Sequence, residues 1–273
     1  MDVMELYNVG GKDIYVNRGD LQGDGIEYPA WGKIKAVEEI FKSDLVKRDI
    51  TLMHLNAYGS WTGWALGLLC KKYDMKFHMA FPARTDFPKE YLTFIEKMGV
   101  EVHSFKPNMD SLLRNKLIGI CNKEGYQYFN SGFDCNPFLE YFQKSMKEVV
   151  YSYDIDTLVV SGGSGVTLAG LVMGFECYPT LFSANTGRKV YAIVVSSKQG
   201  VENALKRKGI VTNQVEVIKS EYEYNDRMDW DETPFPTNPF WDRKAWHWLE
   251  NNVNKLDGRV LFWNLGGNDN FFI

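Results

Sequence analysis

Val159-Val160-Ser161-Gly162-Gly163-Ser164-Gly165-Val166-Thr167-Leu168-Ala169-Gly170 reads as a buried strand running through a glycine-rich turn straight into a helix. Such a turn points several main-chain N–H groups at one spot, at the positive end of a helix, and makes a seat for a phosphate. Ser164 and Thr167 add hydroxyl donors. Three familiar uses of such a turn fail on spacing. A dinucleotide fingerprint G-x-G-x-x-G starting at Gly163 meets Leu168 where its third glycine belongs. The next strand, Tyr191-Ala192-Ile193-Val194-Val195, runs into Ser196-Ser197-Lys198 rather than an acid that would grip a ribose. A Walker loop needs a lysine that is missing here, and a nucleophile elbow G-x-S-x-G has Val166 in place of its last glycine. The turn either holds some other phosphate or simply joins a strand to a helix.

Outward from this turn the chain alternates strand and helix. Towards the N-terminus, strands are predicted at 14–16, 50–55, 75–81, 100–105, 126–129 and 157–160. The intervening helices start at Trp31-Gly32 and span 60–73, 88–98, 110–124 and 137–150. Beyond the turn, helices near 198–208 and 239–253 flank a strand around 214–218, and 259–263 is a last strand. This rhythm predicts an α/β protein whose mostly parallel sheets are flanked by helices. The acidic, proline-containing stretch Glu221–Thr237 reads as a long mobile loop.

The 273 residues suffice for two lobes, and the net charge of −4 gives no global basic footprint for nucleic acid. Four dispersed cysteines (Cys70, Cys121, Cys135, Cys177), with no CxxC, suit a reducing compartment and make neither a disulfide scaffold nor a zinc site. His54, His78 and His103 fall in predicted strands and read as packed or edge histidines, so no metal site is expected. The first residues lack the basic-then-apolar pattern of a signal peptide, and no apolar run approaches the roughly 20 residues of a membrane span. A cytoplasmic protein without membrane contact is the expectation.

Several stretches, in this order, resemble the fold type II pyridoxal-phosphate (PLP) enzymes of the tryptophan synthase beta superfamily. They are most similar to the 1-aminocyclopropane-1-carboxylate deaminase and D-cysteine desulfhydrase family. Ile14-Tyr15-Val16-Asn17-Arg18-Gly19-Asp20-Leu21 is similar to that family's strand ending in K-R-D-D, and Gly32-Lys33-Ile34-Lys35-Ala36-Val37-Glu38 resembles its N-K-x-R-K-L-E. The glycine turn resembles its phosphate cup. Asn238-Pro239-Phe240-Trp241-Asp242-Arg243-Lys244 resembles D-P-V-Y-E-G-K, and Val260-Leu261-Phe262-Trp263-Asn264-Leu265-Gly266-Gly267 resembles V-L-Y-A-H-L-G-G.

The resemblance implies that Lys33 carries PLP as a Schiff base and then acts as a base at the substrate's α-carbon. It implies that Gly163, Ser164, Gly165, Val166 and Thr167 hold the phosphate, and that Asp242 faces the ring nitrogen and keeps it protonated. Ser60, Trp61 and Thr62 align with a serine–asparagine loop that contacts cofactor and substrate. Ser60 is thereby a catalytic candidate, Trp61 a cofactor and substrate contact, and Thr62 a substrate contact. Three residues depart from the pattern: Gly32 replaces an asparagine, Trp61 the loop asparagine, and Trp241 a tyrosine implicated in ring opening. Trp241, a substrate contact by position, has no titratable hydroxyl, which disfavours the cyclopropane substrate.

The implied architecture is a homodimer of two-domain chains. Residues 1–40 and 132–273 form the larger, PLP-binding domain, 41–131 the smaller, and the cofactor lies in the cleft. The leading expectation is a PLP-dependent lyase acting at the α-carbon of a small amino acid, by elimination or deamination. The alternative keeps the cofactor but decarboxylates or cleaves an amino acid attached to a nucleotide or nucleic-acid base, with Trp230, Trp241, Trp246 and Trp248 as possible stacking surfaces. A third reading is a PLP-binding protein that has lost its chemistry.

Overall fold

The computed structural model describes residues 3–21, 31–56, 60–83, 95–106, 110–130, 132–176, 187–210, 213–224, 226–228 and 233–267. They divide into two compact units, one within Met1–Gly32 and Cys135–Asn268, the other within Lys33–Asp134. The sequence-based boundaries were 40/41 and 131/132.

In the first unit, strand β1 (Met4–Val9) turns through Gly10 and Gly11 into β2 (Lys12–Arg18). Both glycines have positive φ (57° and 85°), which lets a two-residue turn match the twist of an antiparallel pair. The sheet continues with β7 (Thr157–Gly162), β8 (Lys189–Val194), β9 (Val215–Lys219) and β10 (Val260–Asn264) in the order β1-β2-β10-β7-β8-β9. Every neighbour pair except β1–β2 is parallel, so β2, β10, β7 and β8 end at the same edge. The carboxyl edge of a parallel sheet is where α/β proteins bind ligands.

Helix α7 (Asp242–Asn252) covers one face, burying Ala245, Trp246 and Leu249 against Ile14, Val159 and Phe262. Trp246 and Phe262 meet edge-on at 5.1 Å, an arrangement worth about 0.5–1.5 kcal/mol beyond area burial. The unit also holds α4 (Asn136–Tyr153) and α5 (Val166–Glu176), packed against each other, and α6 (Lys198–Arg207). Helix α4 is amphipathic, with Phe138, Phe142, Ser145, Met146 and Val149 on its buried stripe.

The second unit carries an all-parallel sheet ordered β5-β4-β3-β6. Its strands are β3 (Leu52–Leu55), β4 (Phe77–Pro82), β5 (Glu101–Phe105) and β6 (Gln127–Phe129). Helix α3 (Asp110–Glu124) packs Leu113, Leu117 and Cys121 against Met53, Leu55 and Ala80. Helix α1 (Trp31–Lys42) and α2 (Thr62–Lys72) are joined by an ion pair between Glu38 and Lys72 at 2.5 Å.

Three sequence-based expectations change, and a fourth falls mostly outside the described residues. Strand β1 was not foreseen. The helix expected from 239 starts at Asp242, because Asn238 Oδ1 accepts the N–H groups of Phe240 and Trp241 and holds them in a turn. Most of the 88–98 helix lies outside the described residues, with Ile95–Lys97 helical. Glu221–Thr237, expected to be mobile, is tied down where it is described. Buried Arg243 donates to the Met228 and Thr237 carbonyls, and buried Lys244 to that of Glu223.

Candidate functional site

The glycine turn leaves β7 at its carboxyl end and enters α5 at Val166. Gly165 has φ +83°, and a Cβ there would lie 2.9 Å from Ala204 Cβ on α6, so glycine is demanded by both conformation and space. Ser164 is exposed, Thr167 half-buried, and the Val166 N–H is 3.4 Å from Ser164 Oγ. Ser196 at the end of β8 donates to the Gly163 carbonyl at 3.2 Å and steadies the turn. The first turn of α5 has no acidic residue, so nothing on it opposes an anion at the helix's positive end.

Trp241 and Asp242 reach the same neighbourhood from the start of α7. A Cβ on Gly163 would come 3.3 Å from the Trp241 ring, whose other neighbour is Tyr224, edge-on at 5.2 Å. Asp242 is buried and accepts a short hydrogen bond from Ser161 Oγ, the hydroxyl of the last strand residue but one before the turn. The structure therefore gathers Gly163, Ser164, Gly165, Val166, Thr167, Trp241 and Asp242 at one sheet edge. It adds Ser161, Ser196 and Asn238, which sequence reasoning missed. Only Asn238 carried a local signal, its Asn-Pro dipeptide marking a turn.

The same edge holds a network at the ends of β2 and β10. Arg18 pairs with both oxygens of Asp20 (2.9 and 2.6 Å), bonds the Tyr7 hydroxyl at 3.0 Å and pairs with Glu5. Asn264 donates to Asp20 and to the Pro236 carbonyl. Gly32, at the start of α1, lies so close that a Cβ would be 2.5 Å from the Leu265 carbonyl oxygen. This close approach accounts for glycine where the resembling family has asparagine.

In the second unit, Lys33 follows directly in the first turn of α1 and is half-buried. Ser60, Trp61 and Thr62 form the start of α2. Ser60 Oγ donates to Thr62 Oγ1 at 2.9 Å, and Asn56 beyond β3 accepts the Gly63 N–H at 2.9 Å. Asn56 is buried and was also not anticipated. The Trp61 ring is buried and meets Trp64 edge-on at 6.0 Å, and Thr62 is buried too, so the partly exposed side chain of this turn is that of Ser60. The first turn of α2 likewise has no acid.

Of the tryptophans considered as stacking surfaces, Trp246 is fully buried and Trp248 packs on Tyr191 at 5.2 Å. Trp230 lies outside the described residues. Among the described ones, Trp241 borders the glycine turn.

These parts suit PLP's two opposite charges. The helix end without acids, flanked by Ser164 and Thr167, suits a phosphate dianion, and the buried carboxylate of Asp242 suits a protonated ring nitrogen.

No family model matches the chain. It is 27% identical over 277 residues to the "Glycyl-dTMP PLP-dependent decarboxylase" of Pseudomonas phage M6, covering 96% of this chain and 97% of that protein. Among solved structures it is similar to O-ureido-L-serine synthase with O-ureido-L-serine bound (TM-score 0.71, 14% identity, 98% of this chain and 88% of that one). The O-acetylserine-dependent cystathionine beta-synthase of Helicobacter pylori follows at TM-score 0.69 and 15% identity, covering 98% and 93%. Threonine deaminase isoform 2 of Solanum lycopersicum matches at 0.66 and 14%, covering 99% and 80%. No helix among the described residues is long and apolar enough to cross a membrane. In its fold, this chain is similar to the fold type II PLP enzymes.

Proposed function

We propose that the chain is a PLP-dependent decarboxylase whose substrate is an amino acid carried on a nucleotide, of the glycyl-thymidylate kind. The observation carrying this reading is the end-to-end similarity to the phage decarboxylase, 96% of one chain against 97% of the other. It favours the nucleotide-linked alternative over elimination from a free small amino acid. Trp241 agrees with it, because a residue without an ionisable hydroxyl beside the glycine turn suits contact with a flat base better than acid–base work.

When bound, PLP draws electrons from the bond broken at the substrate's α-carbon. In this assignment Gly163–Thr167 hold the phosphate through main-chain N–H groups and the hydroxyls of Ser164 and Thr167. Asp242, buried and bonded to Ser161, holds a proton at the ring nitrogen. Lys33 supplies the anchoring amine and afterwards the proton that replaces the lost carboxylate at the α-carbon. Ser60 and Thr62, at a helix start free of acids, take the substrate carboxylate. Trp61 braces their turn from within the core, and Trp241 lies along the base. The reading includes a homodimer working in the cytoplasm, which sedimentation and cell fractionation test.

The decisive assay supplies glycyl-dTMP, free glycine, D-cysteine and 1-aminocyclopropane-1-carboxylate in parallel. Carbon dioxide release from the nucleotide alone, with loss of one CO2 from its mass, is expected. Ammonia and a 2-oxo acid from a free amino acid, with the nucleotide untouched, would replace the proposal with the elimination lyase.

A further inference from the structure

The smaller sheet carries a cluster that the PLP chemistry does not use. On its edge strand β5, Glu101 and His103 are two residues apart and therefore on one face. Their parallel partners on β4 are His78 and Ala80, which share that face. The small Ala80 opposite His103 leaves the imidazole room to lean along the sheet towards His78, and the two rings stack at 5.0 Å and 25°. His103 Nε2 lies 3.0 Å from His78 Nδ1, and Glu101 oxygens lie 3.3 Å from both His78 Nε2 and His103 Nε2. One donor atom from each residue can be chosen so that all lie within 4.8 Å of one another.

We propose that His78, Glu101 and His103 form a binding site for a divalent transition-metal ion of the zinc or nickel type, clipping edge strand β5 to β4. With metal–nitrogen distances of about 2.05 Å, two ligands on a tetrahedral ion lie about 3.3 Å apart, and neighbouring ligands on an octahedral one about 2.9 Å. The separations from His103 Nε2 to His78 Nδ1 and to a Glu101 oxygen, 3.0 and 3.3 Å, fall on these edges, and with the third edge no longer than 4.8 Å the exposed Glu101 side chain is the one that must swing in to complete the set. Two imidazoles and one carboxylate select a borderline metal over calcium or magnesium, which take all-oxygen shells. The largely exposed Glu101 leaves the ion's remaining positions to water.

The competing account is a metal-free chain of hydrogen bonds, from His103 to His78 to Glu101. Isothermal titration of the full-length, EDTA-dialysed protein with zinc chloride and, separately, nickel chloride separates the two. The expected result is one equivalent bound, a raised melting midpoint with metal, and affinity weakened about tenfold or more by His103→Gln and by His78→Gln. Glu101→Gln changes an exposed side chain without disturbing the core and is expected to weaken binding too, covering the case in which a histidine variant misfolds. Absence of stoichiometric binding overturns the site. So does binding that persists undiminished in Glu101→Gln and His103→Gln, which would point to the cysteines.

Discussion

Gly32→Ala is the sharpest test of the close approach of Gly32 to the exit of β10. The added methyl would lie 2.5 Å from the Leu265 carbonyl oxygen, 3.1 Å from its carbon and 3.3 Å from its Cα, whereas ordinary contact begins at 3.4 Å. All three obstacles are main-chain atoms at the exit of β10, so relief requires the helix start or the strand exit to shift by about 0.9 Å, the difference of those two distances. Overpacking of this kind costs typically 1–3 kcal/mol. Alanine returns up to about 1 kcal/mol of helix propensity. With that return in full the balance is a loss of about 0–2 kcal/mol, up to roughly 8 °C in Tm for a chain of this size. Urea unfolding followed by circular dichroism measures the loss. Absorbance of the PLP-loaded protein reports whether Lys33, the next residue, has moved with the backbone. Gly32→Asn, which restores the family's residue, is expected to cost more than alanine. An alanine variant more stable than the native protein, or an asparagine variant matching it, would refute the close approach, and with it the explanation for glycine at this position.

Lys33→Ala is expected to abolish absorbance near roughly 410–430 nm in PLP-loaded protein, where the cofactor bound to a lysine absorbs; full retention of the band would move the anchor elsewhere. Ser161→Ala removes a buried hydroxyl's bond to Asp242 and is expected to cost about 1.5–3 kcal/mol of stability in urea unfolding, the range for hydrogen bonds to charged groups. His54 is buried, with Nδ1 2.9 Å from the Phe129 carbonyl, and burial pushes its pKa from 6.5 down to about 4. The unfolded chain therefore takes up the proton first as pH falls. Stability is full above 6.5 and declines towards 4, by about 3 kcal/mol across the window. His54→Gln, compared by urea unfolding across that range, should show a flatter profile.

The glycine turn was legible because its chemistry is local: strand, glycines and helix follow one another without a gap. The alternation of elements was legible for the same reason, since each helix and strand carries its own period. What escaped reading depends on partners far apart in the chain. Ser161 reads as one more residue of a buried strand, and its partner Asp242 comes 81 positions later. Strand β1 has only a weak alternation, and its pairing with β2 rests on the two glycines between them. Trp246 reads from the sequence as helix core ahead of stacking surface, and the packing against Phe235 and Phe262 decides for core. Lys33 and Ser60–Thr62 were chosen by resemblance, and no local pattern singles them out from other helix-start residues.

Arg243 and Lys244 have a consequence for how this protein can vary. Two cations stand inside the fold directly after Asp242, and burial has already pushed the Lys244 pKa down to about 8. Each is held by carbonyl oxygens, Lys244 by that of Glu223 and Arg243 by those of Met228 and Thr237, with the Thr237 hydroxyl also accepting from Arg243 Nε. Apart from Thr237, side chains along that stretch can change without touching these carbonyl bonds, but an insertion or deletion would pull a carbonyl off a buried charge. Among homologues the segment should drift in composition while keeping its length.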